Sequence, residues 1–457
     1  MENIKEIVNG QREFYNSGIT KNIDCRVDQL RRVKQLLKDN EDKLYQAIYE
    51  DFGKSQFETY MTELSLLYHE LNRYIKRVKK WSRVVKVSTG LANFPAKSFI
   101  VPEPLGVTLV IGAWNYPYQL SLLPAISSIA AGNCVIIKPS ELASKSSAVM
   151  AEIFNNNLSS KFFRVVEGGV SKTQELLDEK FDKIFFTGSS RVGKIVYQAA
   201  AKNLTPVTLE LGGKSPAFIT ADADLKMSAK RVIWAKFINA GQTCVAPDYL
   251  LVDKRIESAF KRELVKQLKC YPKVADEIDD NYLKIVNQKS TERLVKLIEK
   301  DKVFYGGNYS VEHHFIAPTI LHNITFEDIV MDEEIFGPLL PVISYMNLDK
   351  AIAKVKQRPK PLACYVYSKS KRDIEKILKT ISFGGGAVND SLMHLSNNNL
   401  PFGGVGDSGM GSYHGKAGFD TFTHYKSILD KPTWFEAPVK YYPYFKWKRK
   451  LIRFMLE

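Results

Sequence analysis

The chain has no C-x-x-C pair, no H-E-x-x-H and no apolar leader, and each absence removes a class of protein. Its five cysteines, Cys25, Cys134, Cys244, Cys270 and Cys364, are odd in number and far apart, so neither a zinc site nor a disulfide framework is expected. A reducing compartment follows. The seven histidines show no ligand spacing; His313 and His314 are adjacent and would face opposite sides of a strand, so no metal is expected. The start MENIKEIVNGQREFYN is polar and charged and reads as cytosolic. Residues 104–137 carry no charge and exceed the roughly 20 residues that cross a bilayer. They fail as a span. Gly112, Asn115, Pro117, Gln119 and Pro124 fall in the middle, where a lipid-facing helix must satisfy every backbone group internally. With no fixed repeat and no low-complexity tract, solenoids and long linkers are excluded as well.

What is present is an ordinary globular composition over 457 residues, 45% hydrophobic and 25% charged, enough for two large domains or three smaller ones. The net charge of +15, from 65 basic and 50 acidic residues, favours anionic surfaces. No nucleic-acid module accompanies it, so the charge is read as a solvated surface and no nucleic-acid partner is expected. Residues 26–50 and 62–82 show helical apolar spacing among Lys, Arg and Glu, which predicts an N-terminal layer of amphipathic helices. From residue 105, the runs VTLVIGA, NCVIIKP, FFRVVEG, KIFFTG and PVTLEL alternate with helical stretches. A second series follows: PAFIT, YLLVD, KVFYGG, PTILHN, LLPVISY and LACYVYS, with helices expected at 255–270, 290–300 and 349–357. Such alternation predicts two α/β units with mostly parallel sheets, divided at the Gly-rich turn LELGGKSP, 209–216.

Chemistry is suggested at four places. In NAGQTCVAP, 239–247, Cys244 sits among small residues that leave room for a carbonyl to reach both sulfur and backbone N–H groups. A buried inert thiol is the competing reading, and it is accepted for the other four cysteines. FDKIFFTGSSRVGKIV, 181–196, reads as strand, Gly-bounded turn and helix start, a place for phosphate. GSSRVGKI nearly spells a P-loop, but Ile195 stands where a magnesium-holding Ser or Thr is required, and G-x-G-x-x-G is missing too. Glu210, inside the apolar run TLELGG, is either a buried carboxyl with a raised pKa or a side chain turned to solvent at a strand end. EEIFGP, 333–338, read alone, is an exposed loop. The clusters FGGGAVND, 383–390, and PFGGVGDSGMG, 401–411, read as tight turns or close backbone approaches.

Taken in order, IGAWNYP, IIKPSE, FTGSSRVGK, LELGGKSP, NAGQTC, EEIFGP and LPFGGVGDSG resemble the NAD(P)-dependent aldehyde dehydrogenases, with matches from about residue 100 to about 425. The short N-terminus and YHGKAGFDTFTH look most like the class 3 branch, which includes fatty and other long-chain aldehyde enzymes. The resemblance implies an α/β fold: a Rossmann-like dinucleotide-binding domain from residues 1–82 and 104–210, and an α/β catalytic domain at 211–410. A small β-extension for oligomerisation would come from 83–103 and 411–438, followed by a basic aromatic tail at 439–457. It makes Cys244 the nucleophile, Asn115 an oxyanion contact and Glu210 the base that activates water. It makes Glu334 the nicotinamide-ribose ligand and Phe336 the aromatic near the ring. Lys138 and Glu141 match the adenosine-ribose contacts; Trp114, Gly188, Ser189 and Gly193 match the adenosine and pyrophosphate contacts; Leu211 joins the cofactor set. Glu141 leans toward NAD, whereas Lys138 could receive a 2′-phosphate, so NADP use stays open.

The resemblance further implies a hydrophobic aldehyde substrate, a carboxylic acid product and a homodimer. An acylating enzyme that passes the thioester to coenzyme A is the alternative within the fold, and Glu210 argues against it. A catalytically silent membrane-surface protein is the alternative outside it. In place of the apolar anchor of membrane-bound relatives, this chain ends YYPYFKWKRKLIRFMLE. As a helix over 443–457 it would put Tyr444, Trp447, Leu451, Phe454 and Met455 on one face and Lys446, Arg449, Lys450 and Arg453 opposite, a pattern suited to peripheral contact with a membrane. Packing against the partner subunit, or a disordered basic end, competes with that reading.

Overall fold

The uncharged stretch 104–137 folds as its punctuation demands, into strand Val107–Ile111, helix Pro117–Ala131 and strand Cys134–Lys138, every residue buried. Pro117 occupies the first helical turn, where a missing N–H costs nothing, and Gly132, at φ 98°, ends the helix in the left-handed conformation. The computed structural model describes residues 3–277 and 281–456.

Each of the eleven apolar runs forms a strand. The first sheet has the order Gly409–Met410, Val207–Glu210, Lys183–Thr187, Val107–Ile111, Cys134–Lys138, Phe163–Val165, and all neighbours are parallel except the first pair. Counted along the chain, its five parallel strands lie 3-2-1-4-5, so the topology reverses between Val107–Ile111 and Lys183–Thr187. Ligands of open α/β sheets bind outside the carboxyl ends of the strands at such a reversal. The second sheet has seven strands in the order Val303–Tyr305, Thr319–Leu321, Leu339–Tyr345, Tyr249–Asp253, Pro216–Ile219, Ala363–Tyr367, Gly385–Val388, and only Val303–Tyr305 runs antiparallel. A third sheet is antiparallel, with Lys97–Pro104 between Val85–Val87 and Thr423–Asp430. Val85, Val87 and Leu429 are exposed on it.

Several elements differ from the sequence expectation. The helix expected over 26–50 is two, Ile23–Asp39 and Glu41–Phe52, separated at Asn40, whose side-chain amide turns back to the Leu36 carbonyl. Ile4–Asn16, read only as a charged start, is a helix, and its Gln11 donates to the carbonyls of Val135 and Ser160. Lys371–Thr380 is an unexpected helix, and Gly385–Val388, read as a turn, is an edge strand. The helix expected at 290–300 is shorter, Gln288–Val295. His313 and His314 lie in the turn between Tyr309–Ser310 and Phe315–Ile316 rather than on a strand. The C-terminal helix runs Lys446–Leu456, so Tyr444 precedes it; the Met455 side chain and Glu457 lie outside the described residues. Among the described residues, no helix is long and apolar enough to cross a membrane, and no group of His, Cys, Asp and Glu could hold a metal.

Candidate active site

A cavity of ≈ 600 Å³ opens at the carboxyl ends of the first sheet, across its reversal point, and reaches the second sheet's loops. The loop after Val107–Ile111 brings Trp114 and Asn115 to it; that after Cys134–Lys138 brings Glu141, with Lys138 at the strand's last position. Lys183–Thr187 leads into Gly188 and Ser189, and Val207–Glu210 ends in Glu210 itself, followed by Leu211. Cys244, Glu334 and Phe336 arrive from loops that join elements of the second sheet. Gly193 does not line the wall. A Cβ there would lie 2.7 Å from a Leu211 methyl carbon, so this glycine lets its helix close on Leu211.

The thiol is held by a strained turn. Helix Leu225–Phe237 runs into Asn239, Ala240 and Gly241, all left-handed, at φ 55°, 51° and 75°. Gly241 is required there, because a Cβ would sit 2.3 Å from the Gly337 carbonyl oxygen. The Asn239 amide donates to the carbonyls of Asn115 and Gln242, each at 3.0 Å, and Asn115 donates from Nδ2 to the same Gln242 carbonyl at 3.0 Å. One of the two Asn115 side-chain N–H bonds is thereby tied and the other is left for a ligand. Thr243 pairs with the Tyr116 hydroxyl at 2.6 Å, and Tyr365 donates to the Val245 carbonyl at 2.6 Å. Both neighbours of Cys244 are therefore fixed while Cys244 itself, half-buried, lines the cavity.

Electrostatics at this end oppose ionisation. Burial pushes the Cys244 thiol up, and the carboxyl groups of Glu334 and Glu210 push it further. Glu210 is buried with neither carboxyl oxygen partnered, and burial alone holds it well above the ordinary carboxylate range. The solvent-turned alternative for Glu210 is thus overturned. Unpaired carboxyl groups in dry surroundings are costly, and they concentrate where a base near neutral pH is needed.

The other end suits a dinucleotide. Ser189 caps helix Ser190–Lys202 by accepting from the Val192 N–H, which leaves first-turn amides for phosphate oxygens. Lys138 donates to Glu141 at 2.8 Å, so a cation and a carboxylate share the sheet end where a ribose would sit. Trp114 and Phe336 meet edge to face at 5.5 Å. Glu334 is carried by a clamped loop: Lys214 donates to Asp248 at 2.6 Å and to the carbonyls of Val330 and Glu333, while Asp248 accepts from the Ile335 N–H. Arg293 donates to the Ile335 carbonyl at 2.6 Å. Burial, with Asp248 adding, pushes Glu334 up to about 8. The cavity has room and matched groups for NAD(P).

Sequence reading missed Lys214, Asp248 and Arg293, and also Arg191, Phe402 and Tyr413, which line the cavity. Lys214, Arg191, Phe402 and Tyr413 stand inside the quoted motifs, where nothing set them apart from their neighbours. Asp248 and Arg293 acquire meaning only through folding.

The model of the aldehyde dehydrogenase family matches residues 2–428. Among curated relatives, the 4,4'-diaponeurosporen-aldehyde dehydrogenase of Staphylococcus aureus is 44% identical over 97% of this chain and 96% of its own. The dimeric NADP-preferring aldehyde dehydrogenase of Rattus norvegicus is 42% identical over 94% and 95%. The structure of a substrate-bound state of Staphylococcus aureus AldH superposes with a TM-score of 0.97 at 43% identity, covering 100% of both chains.

Proposed function

The chain belongs to the aldehyde dehydrogenase family and oxidises aldehydes with NAD(P); from that premise we propose that it converts a hydrophobic aldehyde to its carboxylic acid through a thioester on Cys244. The Cys244 thiol gives its proton to solvent water, its sulfur adds to the carbonyl carbon, and the free Asn115 N–H and the Cys244 backbone N–H hold the resulting oxyanion. Each such donor is worth about 3 kcal/mol. A bound nicotinamide supplies the acceptor for the hydride that the thiohemiacetal gives up. Glu210, as the carboxylate, then takes a proton from water, the hydroxyl adds to the thioester carbon, the C–S bond breaks to release the acid, and the proton on Glu210 returns to the departing sulfur to restore the thiol.

The single observation that carries this reading is the grouping of one thiol, one half-free amide and one wholly unpartnered carboxyl in the same cavity. An acylating enzyme would have little use for the carboxyl. Residues Trp114, Lys138, Glu141, Gly188, Ser189, Leu211, Glu334 and Phe336 would hold the dinucleotide, with Gly193 setting the closeness of the phosphate-binding helix. Lys138 beside Glu141 leaves both NAD and NADP acceptable, and the rat relative is named for preferring NADP.

The aromatic wall of Phe402 and Tyr413 supports a long apolar substrate, as does the relative named for 4,4'-diaponeurosporen-aldehyde. A homodimer through the third sheet is supported by its exposed valines and by the rat relative's designation as dimeric. Peripheral membrane contact through the C-terminal helix is supported by its exposed Trp447, Leu451 and Phe454.

The test is a pair of variants. Cys244→Ala should abolish aldehyde oxidation with NAD(P) binding retained. Glu210→Gln should keep an initial burst of reduced cofactor, one per active site, while turnover falls at least about a hundredfold. Unaltered turnover in Glu210→Gln would remove the base assignment, and coenzyme A-stimulated turnover would favour the acylating alternative.

A further inference from the structure

Two loops bring Cys244 and Asn115 together, and both are tied to one short segment of the N-terminal helical layer. Helix Gln56–Thr59 passes into a π-turn, Tyr60–Leu64, before helix Ser65–Trp81 resumes; the Ser65 N–H reaches the Tyr60 carbonyl across five residues. In an unbroken α-helix, residues five apart point about 140° away from each other. The wider π-turn brings Glu58 and Glu63 toward one face. Glu58 Oε1 accepts from the backbone N–H of Asn239 at 2.8 Å, at the first left-handed residue of the thiol turn. Glu63 Oε2 accepts from the backbone N–H groups of Tyr118, at 2.8 Å, and Gln119, at 3.3 Å. Those are first-turn amides of helix Pro117–Ala131, directly behind Asn115. Lys54, fully buried, pairs with Glu63 Oε1 at 2.8 Å and lies 4.4 Å above the Tyr116 ring, whose hydroxyl holds Thr243 beside the thiol.

We propose that Glu58 and Glu63 are positioning residues, a two-carboxylate clamp that sets the thiol turn and the oxyanion loop at a fixed separation. The inference rests on the assignment of Cys244 and Asn115 given above. Neither carboxylate touches substrate. Each acts through a backbone N–H: Glu58 fixes Asn239, whose side chain then binds Asn115 to Gln242, and Glu63 fixes the helix that follows Asn115. A shift of about 1 Å between reacting groups can cost a hundredfold in rate, so a clamp that does no chemistry is still read out in turnover.

Glu58 gives the cleaner test, because Glu63 is half of a buried ion pair whose removal threatens folding. Three variants separate the roles: Glu58→Ala removes the acceptor, Glu58→Asp retracts it by one methylene and keeps the charge, and Glu58→Gln keeps an acceptor without the charge. In Glu58→Ala and Glu58→Asp, the pre-steady-state burst rate is expected to fall at least about tenfold while the NAD(P) dissociation constant stays within about twofold. Glu58→Gln is expected to restore the burst to within about threefold of the parent. A burst unchanged in Glu58→Ala, or in Glu58→Asp should the alanine variant not fold, overturns the clamp. So does a glutamine variant as slow as the aspartate one.

Iodoacetamide alkylation of Cys244, followed on the cysteine peptide, separates this from failure of the site assignment. A changed alkylation rate in Glu58→Asp with normal oxidation would place the thiol turn under Glu58 control and count against the role given to Cys244. An unchanged alkylation rate and burst, with Cys244→Ala inactive, would sink the clamp alone.

Discussion

Burial raises the pKa of both Cys244 and Glu210, and that sets the pH behaviour of the enzyme, since each works in its ionised form. Only the thiolate adds readily to a carbonyl, and its fraction grows about tenfold per pH unit below the thiol pKa. Because burial raises that pKa, kcat/KM for aldehyde is expected to climb steadily from pH 6.5 to pH 9, measured by cofactor reduction. A profile flat above pH 7 would mean that binding of substrate or cofactor has already lowered the thiol. Glu210 also bears on stability. Its folded-state pKa is raised, so its contribution is intact below the unfolded value of about 4.3 and is lost as pH rises through the folded value. Glu210→Gln should therefore melt higher than the parent at pH 8, by an amount worth about 1–3 kcal/mol, and the gain should vanish near pH 4. Thermal melts at the two pH values check it, and an equal gain at both would point to hydrogen bonding instead of charge.

Elements were legible where one physical signal dominated. Strands buried on both faces read as continuous apolar runs, so their existence could be written from sequence, and the Gly and Pro punctuation of residues 104–137 placed helix Pro117–Ala131 correctly. The break at Asn40 could not be read, because both flanking segments keep helical spacing and the interruption is one residue long. Nor could the edge strand Gly385–Val388, where glycines mask the pattern. The site followed the same rule. Motif residues at strand ends were found, but the loop clamp was not, since Lys214, Asp248 and Arg293 meet only after folding. That clamp makes its own prediction. Lys214→Met leaves the Asp248 carboxylate buried without its cation, a change that typically costs 3–5 kcal/mol. The Glu334 loop should loosen, so KM for NAD(P) should rise at least about tenfold while the Cys244 alkylation rate stays near the parent value. A drop in stability with no change in cofactor KM would mean that Glu334 does not depend on the clamp.

At the scale of the whole molecule, exposed apolar surface gathers around the third sheet and the C-terminal helix, and the two regions call for different occupants. The sheet ends in unpaired strand edges, Val85–Val87 and Thr423–Asp430, a surface that a second copy can extend. The helix Lys446–Leu456 is not an edge. Its inner side is occupied, with Lys448 buried and donating to the Tyr441 carbonyl at 2.8 Å, while Trp447 and Phe454 are 53% and 85% exposed. Leu451 lies between them on the same face, and Lys446, Arg449 and Lys450 are exposed on the face beside and opposite it. A net charge of +15 adds long-range attraction to anionic lipid. Two signals of this kind, apolar insertion and charge, are what reversible membrane binding requires. The full-length protein should therefore pellet with vesicles rich in anionic lipid and less with zwitterionic ones, and removal of residues beyond 438 should abolish pelleting. Sedimentation velocity separates the occupants: the truncated protein should still run at twice the monomer mass. If truncation instead yields a monomer, the helix belongs to the subunit interface, and equal pelleting of the two forms would exclude it as the membrane-binding element.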